Sequence, residues 1–126
     1  MQLPTPSRGG GGADKAPSIP ASENSNVVTL INVFTVDPSN QERLMDLLTR
    51  ATDEFVSRAP GFLSSTLHRS LDGTKVTMYA QWRSIEDYQA MRGDPGPRPF
   101  LEEALTFAQF DPGIYTVVRS FAPAGA

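Results

Sequence analysis

The sequence contains no cysteine, a single histidine (His68) and a single tryptophan (Trp82). The lack of cysteine excludes disulfides, thiol catalysis and thiolate metal sites. One histidine without a surrounding group of carboxylates argues against a transition-metal site. The one glycine run, at 9–12, follows no strand and opens no helix, so it does not resemble a phosphate-binding loop. These absences predict a protein without a metal, haem or nucleotide cofactor.

Clusters of positive charge and long apolar stretches are absent as well. The chain has 11 basic and 14 acidic residues and a net charge of −3, which gives a nucleic-acid partner little support. No apolar run approaches the roughly 20 residues that a membrane-spanning helix needs. The N-terminus lacks the apolar core of a signal peptide. We therefore expect a cytoplasmic protein that binds neither nucleic acid nor membrane.

The 126 residues suggest one domain with flexible ends. Residues 1–26 are rich in glycine, proline and serine and contain almost nothing to bury, so we predict a disordered, dispensable tail. The folded domain is predicted at residues 27–122, followed by a frayed C-terminus at 123–126.

The first strand is predicted at Val27–Val36, because this stretch is rich in β-branched residues. Both of its faces are largely apolar, which is typical of a strand that is buried on both sides. Asn32 interrupts one face and would need a hydrogen-bonding partner there, in the protein or in a ligand. That face carries Val28, Leu30, Phe34 and Val36, and the other carries Val27, Ile31 and Val33.

A helix is predicted after Asp37-Pro38. Ser39 and Glu42 have the spacing of a capping box. Apolar residues at helical spacing predict one buried stripe, and Ala59-Pro60-Gly61 ends the helix. The stripe consists of Leu44, Leu47, Leu48, Ala51 and Phe55.

A β-hairpin is predicted on either side of Leu71-Asp72-Gly73. A two-residue loop at Asp72-Gly73 would place His68 opposite Thr77. A three-residue loop at 71–73, with Gly73 left-handed, would place His68 opposite Val76 and on the same face as Trp82. We favour the second register, because Asp72 suits the turn and Gly73 accepts a positive φ.

The last third of the chain predicts two short helices and a final strand. Ser84 has the position of an N-cap, with Tyr88 and Met91 facing inward from the helix that follows. The glycines and prolines at 93–97 break this helix, and another is expected at about 99–107 with Leu101 on its inner side. A turn at 111–113 then leads into a strand at 114–121.

The predicted order of elements is β-α-β-β-α-β, which is the ferredoxin-like split βαβ pattern of the α+β class. Its helices cover one face of a four-stranded antiparallel sheet. The other face would be bare, although the first strand is apolar there too. Because a monomer rarely exposes such a patch, we expect a homodimer packed sheet to sheet.

Two stretches carry a resemblance to a known family: VTLINVFTV, and PGFLSSTLHRSLDGTKVTMYAQWRSIEDY. They resemble the antibiotic biosynthesis monooxygenase family of dimeric α+β barrels, and in particular its quinone-forming members of the actinorhodin type. The resemblance covers about residues 27–118. It implies oxidation of an anthrone-type aromatic polyketide to a quinone by O2 as co-substrate, without metal, haem or flavin.

The resemblance also implies the site residues. Four match pocket residues of the family: Asn32 and Tyr88 would bind substrate oxygens, His68 would act as the base, and Trp82 would form a flat wall. Phe34, Met78 and Leu101 would complete the substrate pocket.

Two positions depart from the family pattern and keep other functions open. Met78 stands where these enzymes commonly have asparagine, and Glu102 stands near an expected arginine. One alternative is a polyketide cyclase of the same superfamily, which needs no O2. Another is a non-catalytic ligand-binding or stabilising subunit, which both departures favour. Haem degradation fits poorly, because Met91 and Leu101 occupy the positions where the haem-degrading relatives use tryptophan and histidine.

Overall fold

The structure is a computed structural model that describes residues 26–125. The predicted disordered tail, apart from Asn26, and the last residue of the predicted frayed end lie outside the described residues. Two short 3-10 turns lie at Pro38–Asn40 and Val56–Arg58. The elements are β1 (Val28–Val36), α1 (Gln41–Glu54), β2 (Phe62–Arg69), β3 (Lys75–Trp82), α2 (Ile85–Arg92), α3 (Arg98–Ala104), β4 (Ala108–Asp111) and β5 (Ile114–Tyr115).

The strands form one antiparallel sheet in the order β2-β3-β1-β4, and β5 pairs with the same edge of β1 as β4. The helices pack on one face. This arrangement confirms the predicted ferredoxin-like α+β fold.

The two faces of β1 are distributed as the alternation of its residues predicts. Leu30 and Phe34 point toward the helices and are 1% and 3% exposed. Asn32 lies between them on the same face. Ile31 and Val33 point to the other side of the sheet and remain half-buried in the single chain.

The start of α1 differs from the predicted capping box. The Asp37 carboxylate, not Ser39, is the capping group, and it accepts hydrogen bonds from the Ser39 N–H at 2.9 Å and the Ser39 hydroxyl at 2.6 Å. Pro38 fits this short turn because proline has no backbone N–H and the first position of a helix has no acceptor for one. Asn40, at the N-cap of α1 itself, makes no side-chain capping bond. The apolar stripe is confirmed, with Leu44, Leu47, Leu48 and Ala51 buried.

Ser84 caps α2 as predicted, since its hydroxyl accepts from the Asp87 N–H at 3.1 Å. The same hydroxyl donates to the Asp87 carboxylate, and this bond, with help from Arg83, lowers the pKa of Asp87 against the opposing effect of desolvation. The cap fixes the first turn of α2 and thereby the position of Tyr88. The helix predicted at about 99–107 is α3, which is shorter and ends at Ala104.

The last strand begins and ends earlier in the sequence than predicted. β4 begins at Ala108 and pairs with β1 through residues 108–111, where the rings of Phe34 and Phe110 stack at 4.6 Å. β5 resumes the same register after Pro112 and Gly113 but ends at Tyr115, opposite Thr29. Beyond that point only Val28, the first residue of β1, remains, so residues 116–121 have no strand to pair with among residues 26–125.

The register of the hairpin also differs from the one favoured above. Ser70 and Lys75 close the loop through the Ser70 N–H and the Lys75 carbonyl at 3.0 Å, and His68 pairs with Thr77. The loop includes Thr74, because the Asp72 carboxylate accepts from its N–H at 3.0 Å and its hydroxyl at 2.7 Å. Gly73 is left-handed as predicted, with φ +82°. The predicted three-residue turn is wrong, and the side chains of β2 consequently alternate in the opposite sense.

Candidate active site

A cavity of about 210 Å³ lies between the helix-covered face of the sheet and the helices. It occupies the junction of two core clusters, one around Phe34, Leu44 and Val76 and the other around Leu30 and Trp82. Six of the seven residues predicted for the pocket line it. They are Asn32, Phe34, Met78, Trp82, Tyr88 and Leu101.

Asn32 lies in the middle of β1, where the cavity interrupts the core. Its Oδ1 atom is buried, and no hydrogen-bond partner for it exists among the described residues. A buried amide oxygen normally has a partner, because desolvation without a compensating bond costs roughly 1–3 kcal/mol. Asn32 therefore offers a free polar group to whatever occupies the cavity.

Trp82 forms a flat wall of the cavity and is only 1% exposed. The ring of Phe62 packs edge-on against it with centroids 5.4 Å apart, and the ring of Tyr88 does so at 5.9 Å. Such tilted pairs are favourable for aromatic quadrupoles and hold the indole in one orientation. The arrangement suits stacking of a planar aromatic ligand.

Tyr88 comes from α2 and is buried, with its hydroxyl oxygen accepting a hydrogen bond from Arg92 Nη1 at 3.0 Å. Arg92 is one turn further along the same helix. Because a guanidinium can only donate, the proton of the Tyr88 hydroxyl remains available for another acceptor. Tyr88 can therefore donate a hydrogen bond into the cavity.

Ser65 is a lining residue that the sequence reasoning missed. Its hydroxyl lies 2.7 Å from the sulfur of Met78, toward which it donates. Ser65 pairs with Ala80, so it shares the cavity face of the sheet. The register of the hairpin determines that Ser65 faces the cavity. The register favoured from the sequence places its side chain on the opposite face of the sheet.

His68 is not in the cavity, and the prediction that it shares a pocket with Trp82 is wrong. It pairs with Thr77, so its side chain lies on the opposite face of the sheet, where it is exposed. Its Nδ1 is 3.3 Å from the Thr77 carbonyl oxygen. With His68 outside the cavity, it cannot act there as the base.

The charged residues of the cavity are at its open side. Arg92, Asp94 and Arg98 line it and are all exposed. Glu102, the second departure from the family pattern, is exposed on α3 and does not line the cavity. Within the described part of the chain, no three His, Cys, Asp or Glu side chains are grouped so that they could hold a metal ion.

The family model described as antibiotic biosynthesis monooxygenase matches residues 27–102. The chain belongs to this family. The match spans β1 through most of α3 and includes every residue predicted for the pocket. The family assignment makes the protein an enzyme of the monooxygenase class.

Similar proteins include two monooxygenases of Streptomyces species. The tetracenomycin-F1 monooxygenase of Streptomyces glaucescens is 39% identical over 108 residues, which cover 83% of this chain and 96% of that protein. The monooxygenase ActVA-Orf6 of Streptomyces coelicolor, solved with nanaomycin D, is 31% identical with a TM-score of 0.69, covering 79% of this chain and 94% of that one.

A second solved structure bears on the cofactor. SnoaB of Streptomyces nogalater is described as a cofactor-independent oxygenase. It is 27% identical with a TM-score of 0.67, and the match covers 78% of this chain and 98% of that one. Its description supports the prediction of a reaction that needs only O2 and an organic substrate.

In residues 26–125, no helix is long and apolar enough to cross a membrane.

Proposed function

We propose that this monooxygenase oxidises an anthrone-type aromatic polyketide to a quinone with O2 and without a cofactor. The observation that carries the proposal is the free Asn32 oxygen in an apolar cavity that also has the Trp82 wall and the Tyr88 hydroxyl. The 39% identity with the tetracenomycin-F1 monooxygenase supports the substrate class.

The reaction converts the methylene carbon of an anthrone and one O2 into a quinone carbonyl and one water. The substrate loses a proton to give a delocalised carbanion, which transfers an electron to O2. The two radicals combine into a peroxide, which takes up a proton and loses water. The acidity of the substrate itself drives the first step, so the protein supplies orientation and stabilisation of charge.

The cavity residues have distinct roles in this sequence. Asn32 binds the substrate oxygen on which negative charge develops or from which a proton leaves, depending on which end of its amide faces the ligand. Tyr88 donates a hydrogen bond to a substrate oxygen or to the peroxide. Trp82, Phe34, Met78 and Leu101 form the apolar enclosure, which keeps bulk water from the carbanion.

We also infer that the active form is a homodimer packed sheet to sheet. Ile31 and Val33 are on the sheet face that none of the described helices covers. Large exposed apolar residues also follow β4, namely Ile114, Tyr115, Val118 and Phe121. A second copy on this face would bury both groups. The C-terminal segment, which runs past the end of β1, would then lie against the partner.

An oxygen electrode tests the proposed reaction with protein that has been treated with a chelator. Anthrone is the probe, and its autoxidation in buffer is the baseline. We expect one O2 consumed for each anthraquinone formed, at a rate well above the baseline and unchanged by the chelator. Substrate conversion without O2 uptake would indicate a cyclase, and binding without conversion would indicate a non-catalytic subunit; either would overturn the proposal.

A further inference from the structure

Two arginines border the open side of the cavity. Arg92 is in the last turn of α2 and Arg98 begins α3, so the break between the two helices brings both to the same rim. Asp94, between them in the sequence, lines the rim as well, and its Oδ1 accepts from the Gly96 N–H at 2.9 Å.

Neither arginine is neutralised by a carboxylate within residues 26–125. Arg92 donates to the uncharged hydroxyl of Tyr88, and Arg98 makes no ion pair or side-chain hydrogen bond there. Four other arginines pair with acids, whereas Arg58 and Arg119 do not in the described part of the chain. Those pairs are Arg43–Glu103, Arg50–Asp46, Arg69–Glu42 and Arg83–Asp87. The rim thus has two cations against one carboxylate.

The size of the cavity indicates what reaches this rim. At about 210 Å³ it is smaller than the roughly 300–1,000 Å³ of common ligand pockets. A fused aromatic ring system whose inner end contacts Asn32 and Trp82 would therefore extend to the opening. Any substituent on its outer end would lie beside Arg92 and Arg98.

We propose that Arg92 and Arg98 bind an oxyanion on the outer end of the substrate, either a carboxylate or an ionised phenol. The proposal deepens the proposed function and rests on it for the polycyclic skeleton. A guanidinium suits this role because its planar donors match a carboxylate or phenolate and remain charged at every relevant pH. Since Arg92 also bonds Tyr88, the anchoring of the anion would hold that hydroxyl in position.

Binding of product-like probes tests the proposal without turnover. Trp82 is the only tryptophan of the chain, so quenching of its fluorescence reports occupancy of the cavity. The probes are anthraquinone-2-carboxylate and the neutral anthraquinone-2-carboxamide. We expect the acid to bind about tenfold more tightly, the magnitude of one charge-assisted hydrogen bond. A third probe, 2-hydroxyanthraquinone measured below and above the pH of its ionisation, distinguishes the phenolate from the carboxylate.

Variants assign the preference to the two arginines. Arg98→Gln should reduce binding of the acid and leave binding of the carboxamide within about twofold. Arg92→Gln should reduce binding of the acid more than binding of the carboxamide, whereas Arg92→Lys should retain part of the preference because the charge remains. Arg69→Gln is the matched control, since it removes an exposed arginine outside the cavity and should change neither probe.

The outcomes separate this proposal from the reaction itself. Equal binding of acid and carboxamide, or a preference that persists in the Arg92→Gln/Arg98→Gln double variant, would overturn the anion site alone. Failure of every probe to bind would overturn both proposals. The expected preference in a protein that consumes no O2 with anthrone would support the anion site and refute the oxygenase reaction.

Discussion

Asn32 and Met78 are direct partners on β1 and β3, and only one of them has its polar atom occupied. The sulfur of Met78 accepts a hydrogen bond from the hydroxyl of Ser65, whereas the buried Oδ1 of Asn32 has no partner among the described residues. A protein that used Asn32 only to build its core would leave a desolvation penalty uncompensated. This difference indicates that Asn32, and not Met78, has a polar atom available to bind a ligand.

Asn32→Ala should separate activity from stability. We expect kcat/KM to fall about 10- to 100-fold, since losing one buried hydrogen bond between Oδ1 and a substrate hydroxyl costs about 1–3 kcal/mol. Thermal stability should stay the same or rise, because the change removes a buried polar group that has no partner. Ser65→Ala, on the same cavity wall, is the control and should affect activity much less. A clear loss of Tm in Asn32→Ala would instead assign the residue a structural role.

Tyr88→Phe tests the hydroxyl without disturbing the ring. Because the phenylalanine keeps the edge-on packing against Trp82, the variant should lose only the hydrogen bond from Arg92. The free energy of unfolding should therefore fall by about 3 kcal/mol at most. Steady-state oxygen uptake should fall at least about tenfold if the hydroxyl stabilises charge in the reaction. Tyr79→Phe removes the same atom from the opposite face of the sheet and should leave uptake unchanged. Equal rates for both variants would remove Tyr88 from the mechanism.

Ile31→Lys should dissociate the proposed homodimer. The side chain is on the uncovered face of the sheet, and a lysine there would place a charge in an apolar interface. Light scattering should show a dimer for the unmodified chain at micromolar concentration and a monomer or unfolded protein for the variant. Thr49→Lys, at an exposed position of α1, adds the same charge and should remain dimeric. A monomeric unmodified chain would refute the inference.

Local patterns in the sequence were sufficient for most of the fold. Alternation along β1 placed Asn32 and Phe34 on the helix face, and helical spacing identified the buried stripe of α1. These predictions succeeded because the side-chain period of an isolated element does not depend on its neighbours. The resemblance to the family supplied Trp82 and Tyr88, and the cavity contains both.

Predictions that depended on pairing between elements were less successful. A shift of one residue at the turn moves the side chains of residues 64–69 of β2 to the other face, so that Ser65 and not His68 faces the cavity. An irregularity between Phe62 and Ser64 restores the pairing of Phe62 with Trp82. The deciding contact is between Asp72 and Thr74 inside the loop, which residue preferences at Asp72 and Gly73 do not reveal. The predicted position of the final strand was wrong for a similar reason. The residues that can pair there are set by the length of β1, its partner strand.

Asp72 should stabilise the hairpin in a pH-dependent way. Hydrogen bonds from Thr74, and then from Ser70, lower its pKa from 3.8 to about 2. Because the folded-state pKa is depressed, its stabilising contribution is present above about pH 3.8 and is lost as the pH falls toward 2.

Asp72→Asn should therefore lower Tm at neutral pH, and the difference from the unmodified chain should shrink below pH 3.8. Melting curves at several pH values measure this difference. Asp53→Asn, on the exposed side of α1, is the control and should follow the unmodified chain throughout. A difference in Tm that stayed constant down to pH 2 would show that the Asp72 carboxylate charge is not what stabilises the loop.

His68→Ala provides the sharpest test of the observed register. His68 is exposed on the face opposite Trp82, and its ring nitrogen approaches only the Thr77 carbonyl. Loss of a catalytic base usually lowers turnover roughly 10²–10⁴-fold, so we expect His68→Ala to stay within a few-fold of the unmodified enzyme. Oxygen uptake measured beside Tyr88→Phe decides the matter: a loss of 100-fold in His68→Ala with an intact fold would mean that His68 reaches the substrate, and that the register of β2 against β3 is different in the working enzyme.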